Sequence, residues 1–236
     1  MAGPALPVAH LALLGGFDLQ IDGSPVELPP SAQRLISFLA LKTRAQLRVF
    51  VAGSLWADAG EAQASSSLRS TLFRLHDKAD VVETTPTHVA LAPWVRTDIA
   101  ESVDVRQRLA DDAVPPEPSA VLALCQAGEL LPGWYEDWLL VERERLRQRM
   151  LHMLEAGCRR LTEVARFAEA LELGLTAVAV EPLRESAHVA VIQAHLAEGN
   201  IVEASRQYEL LRDLLREHLG TRPSAQVSEI IHACVT

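Results

Sequence analysis

The spacing of hydrophobic positions changes period twice in the first hundred residues. In HLALLGGFDLQIDGSPVELPP, residues 10–30, Phe17, Leu19 and Ile21 alternate with polar neighbours, the two-residue period of a strand with one buried face. Asp22-Gly23 marks a tight hairpin, after which Val26 and Leu28 resume the alternation. The period then lengthens. PPSAQRLISFLALK, residues 29–42, sets Leu35, Phe38 and Leu39 at helical spacing, with Ser31 as N-cap and the Lys42 head exposed. LRVFVAGSLWAD, residues 47–58, puts Leu47, Val51, Leu55 and Trp56 on one side of a second short helix, broken by Asp58-Ala59-Gly60. A third helix runs through SSSLRSTLFRLHDKA, residues 65–79, with Ala64, Leu68, Leu72, Leu75 and Ala79 along one face. Alternation returns at Val82 and Thr84, then at Val89 and Leu91, around a turn at Pro86.

Strands, three helices and a hairpin, in that order, describe a winged helix with an N-terminal sheet over residues 1–97, whose third helix is the one expected in a DNA major groove. The outward face of that helix carries Ser66, Ser70, Phe73 and Asp77, flanked by Gln63, Arg69 and Arg74. Slim serines suit a groove about 12 Å wide, Phe73 suits a thymine methyl, Gln63 suits adenine, and Arg69 and Arg74 suit guanine or phosphate. The same pattern also fits a surface helix whose Phe73 packs on a neighbour. At the hairpin tip, Thr85, Thr87 and His88 are candidates for backbone or minor-groove contacts, and Arg44 and Arg48 are candidate phosphate clamps. A plain hairpin and solvated loop arginines are the ordinary alternatives.

From Asp98 onwards the pattern is helical throughout except for the Pro-rich break DDAVPPEPSA at 111–120. Trp134 and Trp138, four apart, predict an aromatic packing ridge, and the mixed run VERERLRQR at 141–149 predicts surface pairs of Glu142 with Arg145 and Glu144 with Arg147. Glu-Ala recurs at 169–170 and 203–204, an offset of 34 residues, the period of a tetratricopeptide helix pair. Ala170 and Ala204 are then the small residues that let successive helices approach.

Charge sharpens this division. Residues 1–97 hold eight Lys/Arg and eight Asp/Glu, whereas residues 98–236 hold fourteen and twenty-three, so the whole net charge of −9 belongs to the second part. A neutral first part gains little electrostatic help from DNA phosphates. Cys125, Cys158 and Cys234 are isolated, without a CxxC pair, and read as core residues of a reducing compartment. No apolar run approaches the ~20 residues that span a bilayer, and the N-terminus lacks a signal-peptide pattern, so a cytoplasmic location is expected. No phosphate-binding glycine loop, HExxH or GxSxG motif occurs, and His188 and His195 stand about two turns apart, too far to ligate one metal together. Neither an enzyme nor a cofactor or metal site is expected.

Three stretches carry a family likeness: AGSLWADAGEAQASSSLRSTLFRLHDKA, LLPGWYEDWLLVERERLRQRMLHMLEA, and EPLRESAHVAVIQAHLAEGNIVEASRQYELLRDLLREHLGTRPS. On these the chain resembles the bacterial transcriptional activator domain proteins, relatives of the Streptomyces antibiotic regulatory proteins. The resemblance implies an α+β winged helix of response-regulator type over 1–97, followed by an all-α, tetratricopeptide-like activator domain over 98–236. It also implies a DNA-binding regulator, an activator in role, that binds promoter repeats as a homodimer and recruits RNA polymerase. Two departures stand out: the wing reads THVAL where the family usually has Gly-Tyr, and the third helix carries only Arg69 and Arg74 where many relatives have more arginines. The competing reading is a tetratricopeptide scaffold whose winged helix no longer binds DNA.

Overall fold

The computed structural model describes residues 8–42, 44–111 and 117–235. The first residues of the chain, residues 112–116 of the Pro-rich break and the Cys234 side chain lie outside the described residues. Packing groups the described residues into two units: the chain up to Val103 together with Ala127–Glu144, and Asp104–Gln126 together with Arg145 onwards. The stretch 127–144, expected with the second domain, thus packs with the first.

In the first unit, β1 (Ala9–Ala12), β2 (Asp18–Ile21) and β3 (Ser24–Pro25) form an antiparallel meander. The β2–β3 turn has Asp22 at φ 51° and Gly23 at φ 77°, the two left-handed positions that a tight primed turn requires and that an Asp-Gly pair supplies. Helices α1 (Pro30–Ala40), α2 (Arg48–Leu55) and α3 (Glu61–His76) follow, with the short strand β4 (Gln46–Leu47) before α2. The hairpin of β5 (Val82–Thr84) and β6 (His88–Leu91) takes β4 as a third strand, in the order β4-β6-β5. Strand β7 (Val95–Thr97) returns to lie parallel to β1 and closes the first sheet in the order β3-β2-β1-β7. This is the winged-helix architecture.

Two local expectations fail here. Ser31 is not the N-cap of α1: Pro29 caps it without a side-chain bond, and Pro30 opens the helix where no intrahelical N–H is needed. Leu47 does not join the buried side of α2, because it belongs to β4 and is 54% exposed, while Val51 and Leu55 are buried as expected.

Beyond β7, α4 (Asp98–Ala110) and α5 (Pro118–Gln126) precede an irregular stretch that the helical pattern did not foresee. There the Leu131 amide donates to the Leu13 carbonyl and the Gly15 amide to the Glu129 carbonyl, both at 2.8 Å. Backbones approach so closely that a Cβ on Gly15 would lie 2.6 Å from the Ala127 carbonyl oxygen. Trp134 precedes the next helix, α6 (Asp137–Glu163), so the two tryptophans form no helical ridge. Instead Trp134 stacks on Phe17 at 6.4 Å, and Trp138 meets Phe38 edge-on at 5.3 Å. Polar ties accompany them. Arg34 donates to the Leu55 carbonyl at 2.8 Å and to Glu136 at 2.7 Å, and Trp138 Nε1 donates to the same carboxylate at 3.2 Å. Lys42 and Glu142, both read as solvated, form a pair at 2.9 Å with Glu142 buried. Glu142 thus leaves the solvated face on which it was expected, and Arg147 pairs with Glu181.

The second unit stacks α7 (Phe167–Val180), α8 (Glu185–Glu198), α9 (Ile201–Leu219) and α10 (Ala225–Val235), each against the next. Ala170 and Ala204, the small residues of the 34-residue offset, are fully buried. Ile192, Leu211, Leu215, Val227 and Ile231 make one core of α8, α9 and α10. His188 of α8 and Gln207 of α9 are also buried: His188 Nε2 faces the Pro182 carbonyl at 3.0 Å and Gln207 Nε2 lies 2.8 Å from His188 Nδ1, a pairing of a neutral imidazole. Burial holds His188 below its ordinary pKa. Burial opposes ionisation of Glu155 too, yet hydrogen bonds from Arg184 at 2.6 Å and Ser186 at 2.7 Å outweigh it and lower that carboxyl. Cys158 is buried and Cys125 half-buried, and burial pushes both thiols up to about 11, which keeps them protonated.

Trp138→Ala tests whether 127–144 belongs to the core of the first unit. Loss of the half-buried ring should cost about 2 kcal/mol, read as a lower urea midpoint by circular dichroism. An unchanged midpoint would contradict that placement.

Candidate nucleic-acid interface

Helix α3 owes its orientation to a spacing of four, three and four. Ala64, Leu68, Thr71 and Leu75 are all at most 2% exposed, gripped where α3 packs on α2 and α1. Thr71 belongs to this buried line, and Leu72 sits half-buried at its edge. Gly60 precedes the first turn in an extended conformation and accepts the Ala64 amide at 2.9 Å. Glu61 in the first turn, and Arg74 with His76 in the last, complement the helix dipole.

All six outward candidates are exposed: Gln63, Ser66, Arg69, Ser70, Phe73 and Arg74. Phe73 is 71% exposed, far more than a side chain packed on a neighbouring element would be. The Arg69 side chain makes no hydrogen bond or ion pair among the described residues, whereas Arg74 Nε donates back to the Ser70 carbonyl at 3.3 Å. The face is therefore unencumbered apart from one arginine folded along its own helix.

At the wing, the candidates divide by what their polar atoms already do. The Thr85 hydroxyl accepts the His88 amide at 2.9 Å, and the Thr85 amide donates to the His88 carbonyl at 2.9 Å. Thr87 Oγ1 lies 2.9 Å from His88 Nδ1. Thr85 thus builds the turn, and Thr87 and His88 steady one another at its tip. Arg48 does not stand free as a phosphate clamp: its amide donates to the Thr87 carbonyl at 2.9 Å and its Nη1 to the Thr85 carbonyl at 3.2 Å. It is a strut from the start of α2 to the wing. Arg44 is exposed, with only its carbonyl engaged, by Gln46 Nε2 at 2.7 Å.

Between α3 and the wing lies a groove of about 700 Å³. Leu72, Phe73 and His76 are among its lining from α3 and Val82 to Thr84 from β5, with Arg48, Asp80, Thr85 and Trp94 also facing it. Asp80 lies 3.3 Å from His76 Nδ1. The groove is not legible in the sequence because it forms only where the end of α3, the following loop and β5 come together. The visible signal was the run of acidic residues Asp77, Asp80 and Glu83, three apart, just beyond the end of α3.

Among the described residues, no three or more His, Cys, Asp or Glu come together to hold a metal ion, and no helix is long and apolar enough to cross a membrane. Residues 119–234 match the family model described as bacterial transcriptional activator domain. No curated protein matches the chain at a significant level. Among solved structures, the chain is similar to EmbR of Mycobacterium tuberculosis, determined in complex with a low-affinity phosphopeptide, with a TM-score of 0.77 at 17% identity. The match covers 98% of this chain and 65% of that one, and at this identity it speaks for the fold.

Arg48→Ala should loosen the wing without unfolding the unit. Amide exchange at Thr85, Thr87 and His88 is expected to quicken roughly five-fold, the effect of losing a hydrogen bond of about 1 kcal/mol. Unchanged exchange there would remove the strut role.

Proposed function

Because the chain carries a domain of the bacterial transcriptional activator domain family over residues 119–234, we propose that it regulates transcription by binding double-stranded promoter DNA through its winged helix. The observation that carries this reading is the outward face of α3, with Gln63, Ser66, Arg69, Ser70, Phe73 and Arg74 exposed beside a braced wing. A slender face with short hydroxyls, one apolar contact and two guanidiniums matches what base edges and phosphates offer in the major groove. Arg69 is the leading candidate for a base or phosphate contact, since no side chain among the described residues pairs with it. Arg44 and the Thr87–His88 tip are second-rank contacts to the backbone.

The balanced charge of residues 1–97 supports weak binding by a single copy, because phosphate neutralisation supplies most sequence-independent affinity. Useful occupancy then calls for two copies on adjacent half-sites, a homodimer at least on DNA. In this reading the acidic helical unit, with its tetratricopeptide-like helix pairs, acts as the activator module that meets RNA polymerase. No catalytic step, metal or cofactor enters the proposal, and a cytoplasmic location accords with it.

Selection from a random duplex library tests the reading. Enrichment of a repeated motif, lost in the Arg69→Ala/Arg74→Ala variant, is expected. Absence of enrichment even at low salt would instead favour a protein-docking scaffold.

A further inference from the structure

The groove beside α3 carries charge of the wrong sign for a phosphate backbone. Its two carboxylates, Asp80 and Glu83, are exposed. Its two basic side chains are engaged within it: Arg48 holds the Thr85 carbonyl, and His76 lies against Asp80. Glu83 sits on the edge strand β5, paired through its backbone with Ala90, and its side chain makes no hydrogen bond or ion pair among the described residues. One wall of the groove belongs to α3 and the other to the wing. A duplex that touches both elements therefore brings phosphates across this gap.

We propose that Asp80 and Glu83 are affinity-limiting residues of the DNA-binding face, set between recognition helix and wing so that their charges oppose the phosphates of any duplex docked there. The inference rests on the DNA-binding reading and deepens it. Phosphates are the same in every sequence, so the penalty falls alike on all duplexes and carries no base preference. Its consequence is regulatory: a lone copy is kept off random DNA, and two copies bound side by side overcome a penalty that one cannot. The device is economical because it adds no contact. It lowers a background that the exposed arginines of α3 would otherwise raise.

The test uses the full chain with the near-isosteric Asp80→Asn/Glu83→Gln substitution, and Glu27→Gln as an exposed control outside the groove. Binding to a random duplex and to a library-selected duplex is measured at about 50 and 200 mM salt. Each carboxylate, at some 6 Å from a phosphate in water, should weaken binding about three-fold, so the double variant should bind both duplexes roughly ten-fold more tightly at the lower salt. The gain should shrink at the higher salt as screening shortens the range, and the control should match the unsubstituted chain. Equal affinity of variant and unsubstituted chain, a gain on one sequence alone, or an equal gain from Glu27→Gln would each overturn the proposal. Absence of DNA binding by both proteins would overturn the DNA-binding reading itself, and this inference with it.

Discussion

One helix has to be held firmly on one side and left bare on the other. In α3 the buried line Ala64, Leu68, Thr71 and Leu75 does the holding, and the turn-by-turn remainder stays open to solvent. The two demands are linked, since each residue that improves the grip narrows the free face. The solution is a thin grip of small and medium side chains. Ala64 and Thr71 occupy little volume, so α3 lies close against α2 and α1 while its far side keeps Gln63, Ser66, Arg69, Ser70 and Phe73 clear.

What α3 rests on is itself braced from later in the chain. Phe38 of α1 contacts Trp138, and Arg34 of α1 reaches both the end of α2 and Glu136. Lys42, just beyond α1, pairs with buried Glu142. The half-buried Arg34–Glu136 and Lys42–Glu142 pairs contribute more to register than to net stability, because desolvation offsets much of their attraction. Aromatic contacts supply the stronger adhesion. The platform under the proposed recognition helix is thus completed by residues more than ninety positions downstream.

How much of this was legible in the sequence follows from whether a signal was local. The Asp22-Gly23 turn, the burial of Leu35, Phe38, Leu39, Leu68 and Leu75, and the exposure of the six outward α3 residues all follow from period and turn chemistry, and the structure agrees. The buried Ala170 and Ala204 follow from the 34-residue offset. Ser31 failed because the fixed φ of Pro30 fits the first helical position and moves the cap back to Pro29. The Trp134–Trp138 ridge, Glu142 and the irregular stretch after Gln126 failed for another reason. Their surroundings come from contacts with residues 13–42, and no spacing within residues 127–144 encodes a partner that distant. The role of Arg48 was hidden similarly, since an exposed loop arginine and a strut to the wing look alike until Thr85 is placed beside it.

Photo-crosslinking addresses the central claim most directly. A photoreactive phenylalanine analogue at position 73 and, separately, at position 135 would compare two exposed aromatics of the same unit, 71% and 91% exposed. Crosslinks to a library-selected duplex from position 73 and none from position 135 are the result expected of a helix seated in the groove. Crosslinks from position 135 alone, or from neither while the duplex is bound, would contradict it.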